Sequence, residues 1–146
     1  LLSEYDFDII LIDTPAGYSD ENYEYFSLAD SIAIVITDEP TSLLDGYGLI
    51  KILLSYISAE KFSLLVNNVI DWEDADEITR KLNLATMKFL NFQLEVMGFV
   101  PYDRVVRQSI LQQNLFMIAS PNSDASKAVN NVIDKIITKI DIPILG

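Results

Sequence analysis

Phe7-Asp8-Ile9-Ile10-Leu11-Ile12-Asp13-Thr14-Pro15-Ala16-Gly17 opens the chain with an apolar run, an acid and a turn of small residues. An unbroken apolar run closed by such a turn is the pattern of a strand buried on both faces. Open α/β sheets gather ligands at the carboxyl ends of their strands, which is where Asp13 would stand. A carboxylate there is able to hold a Mg²⁺-bound water, and Ala16 and Gly17 let the following backbone approach a phosphate closely. Spacing alone leaves a second reading equally open, an acid that caps the turn after a strand.

Three further apolar runs follow: Ile32 to Thr37, Ser63 to Val69, and the short Met97 to Val100. They are continuous rather than alternating, again the mark of strands covered on both sides. Helical patterns separate them. Ser42 to Ser58 has apolar residues at helix spacing, and Ser42-x-x-Asp45 has the form of a capping box. Glu73 to Leu94 sets Ala75, Ile78, Leu82, Ala85, Phe89 and Phe92 on one stripe. Asp103 to Phe116 begins with an acid able to cap it. Ser123 to Ile140 is the clearest, with Ala125, Ala128, Val129, Val132, Ile133, Ile136, Ile137 and Ile140 on one face. Strands alternating with helices predict an α/β fold, a mainly parallel sheet flanked by helices with right-handed crossovers.

Composition narrows the function. The chain has 146 residues, half of them apolar or aromatic, enough for one domain with a real core. No apolar run approaches the ~20 residues of a membrane span. Leu1-Leu2-Ser3-Glu4 has neither the basic region nor the cleavage site of a signal peptide, and a start at Leu predicts a fragment. Cysteine and histidine are absent, which removes disulfides, thiol catalysis, Cys/His zinc sites and the usual triad base, and suits a reducing cytosol. A net charge of −12, from 22 acids against 10 bases, argues against nucleic acid as a partner.

Other strand ends also bear polar groups. Pro40 stops the second run after Thr37-Asp38-Glu39. Gly46 and Gly48 sit inside the next helical pattern, each costing roughly 1 kcal/mol relative to alanine, so close packing against a partner is one compensation and a tolerated imperfection the other. Asn67 and Asn68 end the third strand, where an amide would read an adenine edge or satisfy a strand–helix turn. Val100-Pro101-Tyr102-Asp103 ends the fourth, with Tyr102 placed to cover a base or simply to turn a corner.

In order and spacing, Leu11 to Gly17, Asp38 to Ser42 with Asp45, Leu65-Val66-Asn67, and Gly98 to Asp103 resemble the MinD/ParA group of deviant Walker A P-loop ATPases across nearly the whole chain. Asp45 to Lys51, Lys88-Phe89-Leu90, Val105 to Ser109 with Gln112-Gln113, and Ser120 to Ser126 resemble its FlhG-type, flagellar members. The resemblance implies ATP and Mg²⁺ as cofactors. It makes Asp13 the Walker B acid acting on the metal through water, and Thr14 to Gly17 the start of switch II. It sets Asn67 on adenine, Pro101, Tyr102 and Asp103 around the base, and Asp45 and Gly46 on a dimer face. It also implies an ATP-bound homodimer at the inner face of the cytoplasmic membrane, a cytoplasmic monomer, and partners in FlhF and the flagellar basal body or C-ring.

The resemblance is incomplete in two places. The glycine- and lysine-bearing phosphate loop and the switch I aspartate have no counterpart in residues 1–146, which therefore read as the carboxyl-terminal portion of one MinD-like domain, inactive alone. Ser123 to Ile140 reads as a core helix rather than a basic membrane-seeking one, and Asp141 to Gly146 is too short for that role. Alternatives are a septum-site or ParA-type positioning ATPase, a non-catalytic α/β interaction domain, and a receiver domain with Asp13 as phosphoacceptor. Asp103, where a receiver needs a lysine, weighs against the last.

Overall fold

A computed structural model describes residues 7–139. Three strands pair in parallel in the order β1 (Ile32–Ile36), β2 (Phe62–Val69), β3 (Glu95–Pro101). Helix α1 (Asp20–Leu28) precedes β1, while α2 (Pro40–Leu53) and α3 (Trp72–Leu90) make the two crossovers. After β3 come α4 (Arg104–Gln112), the single-turn α5 (Phe116–Ala119) and α6 (Asp124–Lys139). The expected α/β class with a parallel sheet is the observed one.

The register explains the layers. Ile34 pairs with Leu64 and Ile36 with Val66, and all four are buried in one core with Ile50 and Leu53 of α2 and Leu82 of α3. Gly46 lets α2 descend onto this face: a Cβ there would stand 2.8 Å from Ile36 Cγ2, closer than real contacts allow. Leu65 and Gly98 share the other face. A Cβ at Gly98 would come within 2.9 Å of Val132 Cγ2, so this glycine sets how closely α6 packs on β3.

Phe7 to Asp13 departs from expectation. It forms neither strand nor helix, and its apolar side chains are exposed, Leu11 to 90%. Apolar continuity makes a strand only where another strand satisfies its backbone, and among the described residues the sheet ends at β1. Coverage of both faces also fails at β1, whose burial alternates and leaves Val35 54% exposed.

Helix ends show what competes with pattern. Helix α2 begins at Pro40, whose fixed φ suits a first turn. The Ser42-x-x-Asp45 capping box does not form, because Ser42 Oγ accepts instead from Thr37 N at 3.0 Å and ties β1's end to the helix. Helix α2 stops at Leu53, short of Ser58, and α3 at Leu90, where Asn91 turns left-handed (φ 56°). On α3 the expected stripe drifts: Phe89 is exposed and Asn83 and Thr86 are inside. Asn83 Oδ1 accepts from Leu94 N at 2.8 Å, so the amide closes the α3–β3 corner at the point to which the helix was expected to run. Helix α4 starts after Asp103 as expected but ends at Gln112, with Gln113 left-handed (φ 54°). Helix α6 matches its reading, although Ile133 is exposed and Ile140 and the 141–146 tail lie outside the described residues.

Candidate functional site

Parallel strands bring their carboxyl ends to one edge, and β2 and β3 are locked together there. Asn67 pairs with Val100 and Val69 with Pro101, leaving Asn68 as an extra residue. Asn68 takes φ 62°, a left-handed conformation that asparagine tolerates better than most residues. This bulge shifts the register, and Tyr102 N then donates to Val69 O at 2.7 Å. The result draws Asn67, Pro101, Tyr102 and Asp103, from two strands, to one corner. Asn67 and Pro101 are half-buried and Tyr102 is exposed. The Asn67 amide has no hydrogen-bond partner among the described residues, so its donors and acceptor are available to a ligand.

Asp103 is differently engaged. Its Oδ1 accepts from Val105 N at 3.0 Å, capping α4, and its Oδ2 accepts from Ala125 N at 3.3 Å, in the first turn of α6. One carboxylate thus meets the positive ends of two helices. The hydrogen bond from Val105 N is the main cause that holds its pKa below the ordinary carboxylate value, with Ala125 N, Ser123 and Asp124 N assisting against desolvation. Three serines complete the knot. Ser123 Oγ accepts from Ser126 N at 3.2 Å and pairs with Ser126 Oγ at 2.9 Å, and the fully buried Ser126 Oγ donates to Ser120 O at 2.8 Å. Sequence reading placed Asp103 beside a base. In the structure both of its oxygens serve backbone, and it acts by holding the β3 tip, α4 and α6 in one arrangement. The spacing Ser120, Ser123, Ser126 was the available sign of this knot.

The other expected residues are not drawn into that corner by any strand. Asp13 is exposed and Thr14 half-buried in the irregular segment, while Gly17 holds φ 85°, a conformation that glycine adopts without strain. No group of three or more His, Cys, Asp or Glu side chains gathers as a metal site among the described residues. The polar groups of Asn67 and Tyr102 thus stand together at one strand-end corner, while Asp13 stands exposed and apart from it. At the β1 end Asp45 is exposed, but Gly46 is buried against the sheet. Its small size answers to intramolecular packing on Ile36, so close packing within the chain accounts for this glycine without a partner. An open groove of about 500 Å³ lies apart, between the amino end of β3 and α6, lined by Glu95, Val96, Met97, Asp134 and Thr138 among others.

No family model matches the sequence. Single relatives do. The chain is 33% identical over 129 residues to the antiactivator FleN of Pseudomonas aeruginosa, covering 88% of this chain and 46% of FleN. It is 20% identical over 135 residues to the flagellum site-determining protein YlxH of Helicobacter pylori, covering 92% and 45% of the two. An uncharacterized ATP-binding protein of Methanocaldococcus jannaschii is 28% identical over 130 residues, covering 89% of this chain and 46% of its own length. The chain thus spans about half the length of these relatives. Among solved structures, the cell division protein MinD of Aquifex aeolicus superposes with a TM-score of 0.71 at 23% identity, over 97% of this chain and 58% of its own. The MinC:MinD complex from the same organism superposes at 0.67 and 23% identity, over 96% and 55%. These superpositions establish the fold as the α/β fold of P-loop NTPases.

Sequence likeness and fold together place the chain in the MinD/ParA group of P-loop proteins. Within that group, its likeness to FleN and YlxH aligns it with the FlhG-type, flagellar members.

Proposed function

We propose that residues 1–146 are the carboxyl-terminal portion of a MinD-like ATPase domain of FlhG type, a regulator of flagellar number and placement. The observation that carries this reading is the 33% identity to FleN over 88% of the chain. The β2–β3 corner supports it by presenting Asn67 and Tyr102 as a base subsite, with Asp103 positioning that subsite from behind. Catalysis falls to Asp13 with Thr14 and Gly17, acting on Mg²⁺-bound water and the terminal phosphate once a phosphate loop stands beside them. That loop lies in sequence beyond this chain, so the 146-residue chain alone neither binds ATP tightly nor hydrolyses it. ATP then favours a homodimer with Asp45 near its interface and association with the cytoplasmic membrane, while hydrolysis returns a cytoplasmic monomer. Among the described residues no helix is long and apolar enough to cross a membrane. FlhF and basal-body or C-ring proteins are the partners this reading assigns.

The test uses the full-length protein containing this chain. Asp13→Ala should abolish ATP turnover, a loss of at least ~100-fold, with the circular dichroism spectrum unchanged. Wild-type turnover in that variant overturns the Asp13 assignment. Micromolar ATP binding to the 146-residue chain by calorimetry overturns the need for a phosphate loop.

A further inference from the structure

Helix α4 shows an unusual outward face. Ser109 is buried, with Val105 and Val106 half-buried beside it, so the opposite side of the helix looks to solvent. At 100° per residue that side carries Arg104, Arg107, Ile110 and Leu111. Two of these are large aliphatics on a face that is ordinarily polar. Leu115, just before α5, and Ile118 on it continue the surface, and all four aliphatic side chains are between 70% and 76% exposed. Charge is equally uneven. From Arg104 to Ser123 there is no acid, although the chain as a whole has 22. Arg104 and Arg107 make no ion pair among the described residues.

We infer that this α4–α5 surface docks an acidic amphipathic helix of a partner protein, its apolar side on Ile110, Leu111, Leu115 and Ile118 and its carboxylates on Arg104 and Arg107. A cluster of aliphatics rimmed by arginine is the composition of a helix-binding surface. Charge decides among occupants. An anionic membrane is repelled by a chain of net charge −12 that offers only two cations here. A second copy seated symmetrically on this surface would bring Arg104 and Arg107 no carboxylate, since residues 104–123 hold no acid. The remainder of the same domain has another place to add. The apolar side chains left open by the sheet, Leu11 and Val35, lie in the segment before β1 and on β1 itself, whereas α4 and α5 follow β3, the opposite edge strand. This inference does not depend on nucleotide binding.

The experiment measures fluorescence anisotropy with the full-length protein and a labelled model peptide, leucines along one helical face and glutamates beside them. Its counterpart with lysine for glutamate, and phosphatidylglycerol vesicles, are run in parallel. The glutamate peptide should bind with Kd on the order of 10–100 μM, and at least ~10-fold more weakly to Leu111→Glu and to Arg107→Glu. No binding of the glutamate peptide, equal binding of the lysine peptide, or unchanged affinity in both variants overturns the inference. Vesicle binding lost in Leu111→Glu with no peptide binding replaces it with a membrane site. If Leu111→Glu does not fold, or the side chains of Leu111 and Leu115 escape carbene footprinting in the unliganded full-length protein, the chain's own remainder covers the face and the inference fails.

Discussion

The two halves of the expected site begin from similar sequence and end differently. Phe7 to Asp13 and Phe62 to Val69 are both apolar runs closed by polar residues. The second lies between β1 and β3, with its core-facing side chains fully buried and its end tied to Tyr102 N at 2.7 Å. No described strand lies beside the first, which exposes the residues that should face a core. Local pattern supplies a strand's preference, while neighbours supply its hydrogen bonds and its buried faces. The corner proposed to hold a base is thus a finished structure among the described residues, and the segment proposed to be catalytic has no described strand to order it.

Truncating one leucine in each run gives the largest contrast. Leu64→Ala removes a fully buried side chain from β2 and should cost about 2–5 kcal/mol in urea unfolding of the 146-residue chain. Leu11→Ala should change stability by less than about 0.5 kcal/mol, since Leu11 is 90% exposed. Equal losses would mean that the first run is packed after all, and the comparison would fall. Gly98→Val comes next. Its Cβ alone would meet Val132 Cγ2 at 2.9 Å, so α6 must move off β3 at a cost of about 1–3 kcal/mol. An unchanged midpoint would show that α6 is not held as described.

Much of the fold was legible because three strands and α6 write their burial directly into apolar spacing. Ile32 to Thr37 and Ser63 to Val69 were read to within one residue at either end. Helix α1 escaped because only Asn22 and Phe26 of its nine residues are buried, although Ser19, whose side chain accepts from Asn22 N, was a visible start signal. The ends of α2, α3 and α4 were set by Pro40, Asn91 and Gln113, backbone choices that hydrophobic periodicity does not encode. Of the expected site residues, the place of Asn67, Pro101 and Tyr102 at adjoining strand ends was legible from the pattern. The role of Asp103 was not, since residues 22 positions apart make its second hydrogen bond.

That clamp is the next measure of how finished the corner is. Asp103→Ala frees the first turns of both α4 and α6 and should cost about 1–2 kcal/mol, with Asp103→Asn intermediate because an amide retains one acceptor. The pH dependence has a definite sign. The carboxylate is favoured in the fold, so its contribution is present above the ordinary carboxyl pKa and is lost as pH falls through the lowered folded value. Asp103→Ala should therefore flatten the acid limb of the stability curve. An acid limb identical to the parent's would show that the two helix caps contribute nothing.

The smallest effect bears on the unfinished half. Gly17 has φ 85°, and no atom lies within 4 Å of where a Cβ would stand. Alanine there meets no clash, so any cost is the backbone's own, up to about 1–2 kcal/mol if the turn is held in this conformation. In the 146-residue chain, where no described strand flanks residues 9–13, the turn is free to relax and Gly17→Ala should cost only a few tenths of that. In the full-length protein the same substitution should approach the complete penalty, because strands flanking Phe7 to Asp13 would fix where the turn begins. Equal, near-zero costs in both would mean that completing the sheet does not order this segment, and Asp13 would lose the fixed position its catalytic assignment requires.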